Sequence, residues 1–132
     1  MEKVFDFLRK HKEVAFATVE GNKPKIRVFQ IMKQEIASLY FVTASRKEVY
    51  RQLQLNPSVE VLAMVNNISV RVMGQVVFDV DDKVAQGIYT ANPVLPRLYK
   101  SYTDLVYFRL SIGQVDYYNL SPNPPVFEHY SL

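Results

Sequence analysis

Residues 14–33, VAFATVEGNKPKIRVFQIMK, decide the fold class because they join two strand patterns through a turn. The run Val14–Val19 is too short for a helix, and the glycine, asparagine and proline in Glu20–Pro24 indicate a turn. In Lys25–Lys33, apolar residues alternate with lysine and arginine, which is typical of a strand with one apolar face. The stretch therefore predicts an antiparallel hairpin. The apolar residues expected to face the core are Ile26, Val28 and Met32.

Gln30 interrupts the apolar face of this second strand. Strict alternation directs its amide into the core, where an unpaired amide costs about 1–3 kcal/mol. Two explanations remain open: a bulge turns the side chain outward, or a polar group meets it inside. Arg27 and Lys33 lie on the opposite face, where exposure to solvent accounts for both cations.

Short helices and strands flank this hairpin along the chain. Helices are predicted over 2–12, 45–56 and 81–92, and further strands over 36–43, 59–65, 68–80, 105–112 and 114–120. Asn66–Asn67 predicts a tight turn, Gly74 a bulge and Gly113 a pivot between the last two strands. The proline-rich residues 121–132 are expected to form an extended tail that leaves the fold. Because strands follow one another through tight turns, we expect a mainly β fold: a closed antiparallel barrel with short flanking helices.

Composition limits the classes of protein to consider. With 132 residues, 48% of them hydrophobic, the chain suits a single domain over residues 1–132. No apolar run is long enough to cross a bilayer and no signal-peptide core is visible, so we expect a cytoplasmic protein without a membrane partner. The absence of cysteine and the presence of only two histidines argue against disulfides, a cysteine nucleophile and a metal site. Sixteen Lys and Arg against thirteen Asp and Glu give a net charge of +3, too little for a nucleic-acid footprint.

The stretch Thr43–Glu48, TASRKE, is the most informative for function. It places a hydroxyl and two cations where a strand leads into a helix, whose N-terminus already attracts anions. Ser45 with Arg46 and Lys47 therefore forms a candidate phosphate site. The same residues also fit a second interpretation, in which Ser45 and Glu48 form a capping box and the two cations face solvent.

No nucleophile, metal set or nucleotide-binding motif of a standard type occurs in the chain. A candidate phosphate site without other reactive groups is best explained by a phosphorylated cofactor that carries the reactivity. Nine tyrosines and eight phenylalanines exceed what a small barrel core needs, and the surplus suggests an oligomer interface or a flat ligand.

The order of these segments resembles the FMN-binding split-barrel family related to pyridoxamine 5′-phosphate oxidase, over about residues 2–120. The most distinctive segment is Ser45–Lys47, followed by the strand entry at Asn56–Pro57. The other segments that carry the resemblance are the first helix, Val14–Val19, the turn at Pro24, Ile26–Phe29, Leu39–Thr43, Leu53–Val61 and Val70–Val76 with Gly74.

The resemblance implies a six-stranded antiparallel Greek-key split barrel that forms a homodimer, with FMN bound between the subunits. It implies that Arg27, Ser45, Arg46 and Lys47 bind the FMN phosphate and that Thr43 lies near the ribityl or phosphate end. The ring system would be bordered by the segment Val28, Phe29, Gln30 and Ile31, and the polar edge of the flavin would then meet Gln30. Two positions depart from the oxidase pattern. Ser69 stands where the oxidase has a flavin-contacting glutamine, and Glu128–Leu132 replaces an expected Arg-x-His string.

These departures argue against oxidation of vitamin B6 and for a branch of the family with unassigned substrates. We therefore expect an FMN-dependent oxidoreductase that passes hydride or electrons between a donor such as NAD(P)H and a small planar acceptor. No catalytic residue is assigned. One alternative is a protein of the same fold that binds or stores flavin or haem without turnover. Another is an oligonucleotide-binding barrel, which the scattered cations disfavour.

Overall fold

The computed structural model describes all residues 1–132 and contains eight strands and four α-helices. The helices are α1 (Glu2–Lys10), α2 (Glu48–Leu55), α3 (Asp82–Ala91) and α4 (Val94–Leu98), with a 3₁₀ turn at Tyr102–Asp104. The strands are β1 (Glu13–Glu20), β2 (Lys23–Gln30), β3 (Lys33–Glu35), β4 (Ser38–Thr43), β5 (Ser58–Val65), β6 (Ile68–Val77), β7 (Val106–Asn119) and β8 (Val126–Ser131). No helix is of the length and apolar character needed to cross a membrane.

The strands form one antiparallel sheet in the order β2-β1-β5-β6-β7-β4-β3, with β8 paired to β7. The two ends of this order, β2 and β3, are separated along the chain only by Ile31 and Met32. The Ile31 N–H donates to the Lys12 carbonyl at 2.8 Å, and the Met32 N–H donates to the Tyr40 carbonyl at 2.9 Å. The sheet therefore closes on itself through this link, and the mainly β antiparallel prediction is confirmed, with eight strands instead of six.

The long strand β7 unites two segments that the sequence analysis divided at Gly113. Met73 pairs with Gln114 and Gly74 pairs with Ile112, so Gly113 is an extra residue in β7 and the ladder continues through it. The irregularity predicted at Gly74 is present. A side chain at Gly74 would not fit, because its Cβ would lie 2.0 Å from the Ser111 carbonyl oxygen.

The prediction that residues 121–132 leave the fold is wrong. After a turn at Ser121–Pro125, β8 pairs with the second half of β7, from Gln114↔Ser131 to Asn119↔Val126. The first half of β7 pairs with β4 only as far as Ser111, so the backbone groups beyond it are available for a new strand. Val126 and Tyr130 pack against the main core.

The direction in which β2 faces is the reverse of the prediction. Ile26 and Val28 are 71% and 68% exposed, whereas Arg27 and Phe29 point inward. The reason lies in β1: Arg27 pairs with Phe16 and Phe29 with Val14, and directly opposed residues share a face of the sheet. Because Phe16 and Val14 are buried, their partners must face the core side. Gln30 is exposed on the same outer face as Ile26 and Val28, and the regular β1–β2 pairing shows that no bulge is involved.

The interior is divided into two apolar clusters. The main cluster fills the barrel, where the ring of Phe16 contacts those of Phe29 and Phe41 at centroid distances of 4.9 and 5.1 Å. The second cluster lies under α3 and α4, outside the barrel; its buried members are Tyr40, Ile88, Leu95 and Leu105. The candidate site described next lies where β2 and β4 meet the start of α2.

Candidate functional site

A cavity of about 460 Å³ opens between β2, the end of β4 and the start of α2. Strands β2 and β4 form two of its walls, the first residues of α2 form a third, and Tyr99 reaches it from beyond α4. Its lining residues are Arg27, Val28, Phe29, Val42, Thr43, Ala44, Lys47, Glu48, Val49 and Tyr99.

Arg27 is the half-buried cation of this cavity. Its Nη1 donates to the Phe16 carbonyl at 3.2 Å and to Thr18 Oγ1 at 2.7 Å, and its Nη2 donates to Gln52 Oε1 at 2.8 Å. All three acceptors are neutral. Burial lowers the pKa of the Arg27 guanidinium, the charge of Glu48 acts in the opposite direction, and an arginine in a protein keeps its proton.

Arg27 combines partial burial with the absence of an ion pair. Four of the seven arginines, Arg9, Arg51, Arg71 and Arg109, each form an ion pair with a carboxylate. Of the three that form none within 4.0 Å, Arg46 and Arg97 are exposed and only Arg27 is partly buried. A partly buried cation that is bonded only to neutral groups keeps its attraction for an anion. The arrangement therefore suits the binding of an anionic ligand.

The start of α2 differs from the prediction of a capping box. The helix begins at Glu48 with Lys47 as the N-cap residue, and no side chain caps it. The residues before it form a turn in which the Lys47 N–H donates to the Ala44 carbonyl at 3.0 Å. This turn places Ser45 too far ahead of the helix to accept from its first N–H groups, so the capping-box interpretation is wrong. Lys47 lines the cavity beside the positive end of the α2 dipole.

The structure brings together only part of the predicted site. Arg27, Val28, Phe29, Thr43 and Lys47 line the cavity. Ser45 and Arg46 are exposed in the turn next to it, Gln30 is exposed on the outer face of β2, and Ile31 is buried in the main core. The lining residues that the sequence analysis did not assign to the site are Val42, Ala44, Glu48, Val49 and Tyr99.

Two further polar residues, Thr18 and Gln52, accept hydrogen bonds from the Arg27 guanidinium, and the sequence analysis did not assign either to the site. They are 1% and 2% exposed, respectively. A sequence signal was available for Gln52, because it falls on the apolar face of α2 between Val49 and Leu53. A buried glutamine in that position needs hydrogen-bonding partners.

Comparison with known proteins now gives the family. A family model described as pyridoxamine 5′-phosphate oxidase matches residues 1–119. The chain belongs to the pyridoxamine 5′-phosphate oxidase family. Among curated proteins no match is found.

Solved structures support the split-barrel fold of the oxidase family. A NimC/NimA family protein from Clostridium acetobutylicum is 26% identical, with a TM-score of 0.79 and coverage of 100% of this chain and 92% of that one. An FMN-binding protein related to pyridoxamine 5′-phosphate oxidase from Nostoc punctiforme is 16% identical, with a TM-score of 0.69 and coverage of 99% and 95%. A heme-binding protein from Mycobacterium smegmatis is 14% identical, with a TM-score of 0.73 and coverage of 94% and 55%. The fold thus occurs in flavin-binding and haem-binding proteins.

Ser69 and His129, from the two positions that the sequence analysis compared with the oxidase, lie in neighbouring cross-strand rows on the outer face of the sheet. A second cavity of about 450 Å³ there is lined by Leu62, Ser69, Arg71, Asp116, Tyr118 and Phe127. Ser69 contributes to its wall, and His129 Nδ1 lies 2.6 Å from Asp116 Oδ1 in the adjacent cross-strand row. Ser69 and His129 therefore share this outer face, whereas Glu128 and Tyr130 lie on the other face of β8, where Tyr130 packs against the main core.

Proposed function

We propose that this chain is an FMN-binding flavoprotein whose cavity between β2, β4 and α2 binds the phosphate of the cofactor. The observation that carries the proposal is the state of Arg27: a half-buried guanidinium, bonded only to neutral acceptors, in a cavity that also contains Lys47. A phosphate dianion matches such a site because it accepts charge-assisted hydrogen bonds from both cations. The donor set therefore fits FMN.

In this proposal Arg27 and Lys47 are the main phosphate ligands. Ser45 and Arg46 contribute from the exposed turn at the mouth of the cavity, and Thr43 contributes its hydroxyl from the end of β4. The N-terminus of α2 adds the favourable field of its dipole. The segment Val28–Ile31 borders the ring system of the cofactor. Within this segment the side chain of Phe29 points inward and that of Gln30 points to solvent.

FMN supplies hydride and electron transfer when it is bound, and the protein orients it and limits the access of water. We propose an oxidoreductase that uses a donor such as NAD(P)H and a small planar acceptor. The family membership and the name of the Nostoc punctiforme protein support flavin as the cofactor. The departures at Ser69 and Glu128–Leu132 support an acceptor other than vitamin B6.

We propose further that the functional unit is a homodimer with FMN at the subunit interface. The support is an exposed apolar row on β2 and β5 that includes Ile26, Val28, Leu62 and Met64. Val28 pairs with Ala15, which also pairs with Leu62, so these side chains form one continuous patch across three strands. A contiguous apolar patch of this kind is typical of a protein–protein interface.

A second candidate function is binding of haem or flavin without turnover. Its support is the similarity in fold to the heme-binding protein from Mycobacterium smegmatis. No histidine lines the cavity, so among the usual axial ligands of haem iron only the phenol of Tyr99 is present there.

The absorption spectrum of the purified protein, before and after addition of FMN, tests the proposal. We expect flavin bands that disappear on reduction with dithionite, together with saturable uptake of FMN. A colourless protein that does not take up added FMN would contradict the proposal. Iron-dependent Soret absorption would instead support the haem-binding candidate, and flavin binding without oxidation of NAD(P)H would support a storage role.

A further inference from the structure

We propose that Gln52 and Thr18 are positioning residues that hold the Arg27 guanidinium in its phosphate-binding orientation and keep its charge unpaired. This inference rests on the proposed function, because it concerns how the phosphate site is prepared before the ligand arrives.

Thr18, Gln52 and Arg27 form a closed set of hydrogen bonds behind the cavity, in which Thr18 and Gln52 are the clamp on the guanidinium. Thr18 Oγ1 donates to Gln52 Oε1 at 2.6 Å and accepts from Arg27 Nη1 at 2.7 Å. Gln52 Oε1 also accepts from Arg27 Nη2 at 2.8 Å, which closes the triangle. Each member is thereby fixed by the other two. Because Thr18 and Gln52 are almost completely buried, water cannot easily replace either contact.

The bonding of Arg27 leaves part of its guanidinium available. An arginine has five N–H donors, and the Phe16 carbonyl, Thr18 and Gln52 engage three of them. The two remaining donors are the Nε–H and one hydrogen on Nη2. Two donors on a planar guanidinium are enough for a bidentate contact with a phosphate. A group held in this way binds more tightly, since little side-chain entropy is lost when the ligand arrives.

Gln52 also separates Arg27 from a carboxylate. Its Nε2 donates to Glu20 Oε1 at 3.0 Å, and the other Glu20 oxygen accepts from Arg51 at 3.0 Å. The hydrogen bond from Gln52, followed by that from Arg51, lowers the pKa of the Glu20 carboxyl, which keeps it anionic. The amide thus uses its two ends differently: the nitrogen satisfies the anion, and the oxygen satisfies the cation. A neutral spacer of this kind prevents an ion pair that would compete with a phosphate for Arg27.

The affinities for FMN and for riboflavin, measured by calorimetric titration and competition, test this role. The two ligands differ only in the phosphate, so their affinity ratio isolates the contribution of the phosphate site. We expect Gln52→Leu, which removes the clamp, and Gln52→Glu, which supplies the missing ion pair, each to lower this ratio about tenfold, the scale of one charge-assisted hydrogen bond. Riboflavin affinity should stay within about twofold of the wild type.

Thr18 gives a second test that does not depend on Gln52. Thr18→Val removes the hydroxyl with almost no change in shape and should lower the ratio of FMN to riboflavin affinity. Thr18→Ser keeps the hydroxyl and should keep the ratio of the wild type. Gln34→Leu is the matched control: Gln34 is a half-buried amide on β3 that donates to the Phe5 carbonyl at 3.2 Å, and its loss should leave the ratio unchanged. If Gln52→Leu fails to fold, the Val and Ser pair at Thr18 decides the question.

The outcomes separate this inference from the proposed function. A wild-type protein that binds FMN no better than riboflavin would overturn the phosphate site, and the clamp with it. A wild type that prefers FMN strongly, combined with unchanged ratios in the Gln52 and Thr18→Val variants, would overturn the clamp alone. Equal losses for both ligands would show a general structural role and would also overturn it.

Discussion

Arg27 and Val28 are neighbours on β2 whose side chains leave opposite faces of the sheet. The guanidinium of Arg27 points inward to the cavity, whereas the side chain of Val28 is 68% exposed on the outer face. Successive side chains of a strand point to opposite faces, so the two faces of β2 differ in chemistry. In the proposed function, one face offers a cation to the FMN phosphate, and the other offers an apolar row to a second copy of the chain.

The outer face of β2 gives a prediction about assembly. Ile26→Asp places a charge in the apolar row of the proposed dimer interface; Ile26 does not line the cavity. Burial of an unpaired carboxylate there should weaken association by about 2–4 kcal/mol. Sedimentation should then show the 15.3 kDa protomer at concentrations where the wild type sediments at twice that mass.

Ile36→Asp is the matched control for this change. Ile36 is 90% exposed between β3 and β4 and lies apart from the apolar row, so the variant should sediment like the wild type. A wild-type protein that remains monomeric throughout, or an Ile26→Asp variant that remains dimeric, would contradict the proposed interface.

The cations near the cavity should contribute unequally to FMN binding. Lys47 lines the cavity, and Lys47→Ala should weaken FMN affinity by about 1.5–3 kcal/mol, the range for hydrogen bonds to charged groups. Both cations are exposed, but Arg46 does not line the cavity, so Arg46→Ala should weaken FMN affinity by less than about 1 kcal/mol, the scale of a solvent-screened pair. Calorimetric titration measures both values. Lys23→Ala removes an exposed lysine of β2 outside the cavity and should have no effect; a loss as large as that of Lys47→Ala would point to a general charge effect.

Two glycines should respond in opposite directions to the same substitution. A Cβ at Gly74 would lie 2.0 Å from the Ser111 carbonyl oxygen, and the backbone there cannot move away without disturbing the β6–β7 ladder. Gly74→Ala should therefore lower the free energy of unfolding by about 3 kcal/mol, the upper part of the range for overpacking. Gly87 lies in α3 with nothing within 4 Å of its added Cβ, so Gly87→Ala should raise it by about 0.5–1 kcal/mol. Urea denaturation measures both, and equal effects would show that the bulge tolerates a side chain.

The raised pKa of Tyr107 predicts that the protein loses stability in alkaline solution. Burial in the second cluster, with smaller effects from Tyr89 and Tyr102, raises the pKa of Tyr107 to about 12 from an ordinary value of 10.0. A raised pKa in the folded state means that the neutral phenol is favoured there. The stabilisation is therefore complete below pH 10 and is lost as the pH rises towards 12.

Thermal melts across this alkaline range test the prediction. The melting temperature of the wild type should fall more steeply between pH 10 and 12 than that of Tyr107→Phe, which has no proton to lose. Parallel curves for the two proteins would show that the phenol of Tyr107 titrates alike in the folded and unfolded states.

The sequence predicted the local elements well because their signals are local. The alternation in β2, the turn at Asn66–Asn67 and the irregularity at Gly74 all depend on neighbouring residues, and the structure contains them. The direction in which β2 faces depends instead on its pairing with β1, where Phe16 already occupies the core. Alternation fixes which residues share a face, but only tertiary pairing decides which face is inside.

The site was predicted in part for the same reason. The cluster Ser45–Lys47 was visible as a group of polar residues at a strand end, and Lys47 does line a cavity with Arg27. Thr18 and Gln52 were missed because their contacts with Arg27 join positions 9 and 25 residues apart. The pairing of β8 with β7 was missed because the prolines at 122, 124 and 125 predict an extended segment without ladder hydrogen bonds. The strand begins just after them, at Val126.

The central claim is that Arg27 and Lys47 bind the phosphate of FMN, and a crystal structure of the chain grown with FMN tests it most directly. The account predicts electron density for the phosphate within hydrogen-bonding distance of the Arg27 guanidinium and the Lys47 ammonium. An empty cavity at saturating FMN, or a flavin whose phosphate is bound elsewhere, would contradict it.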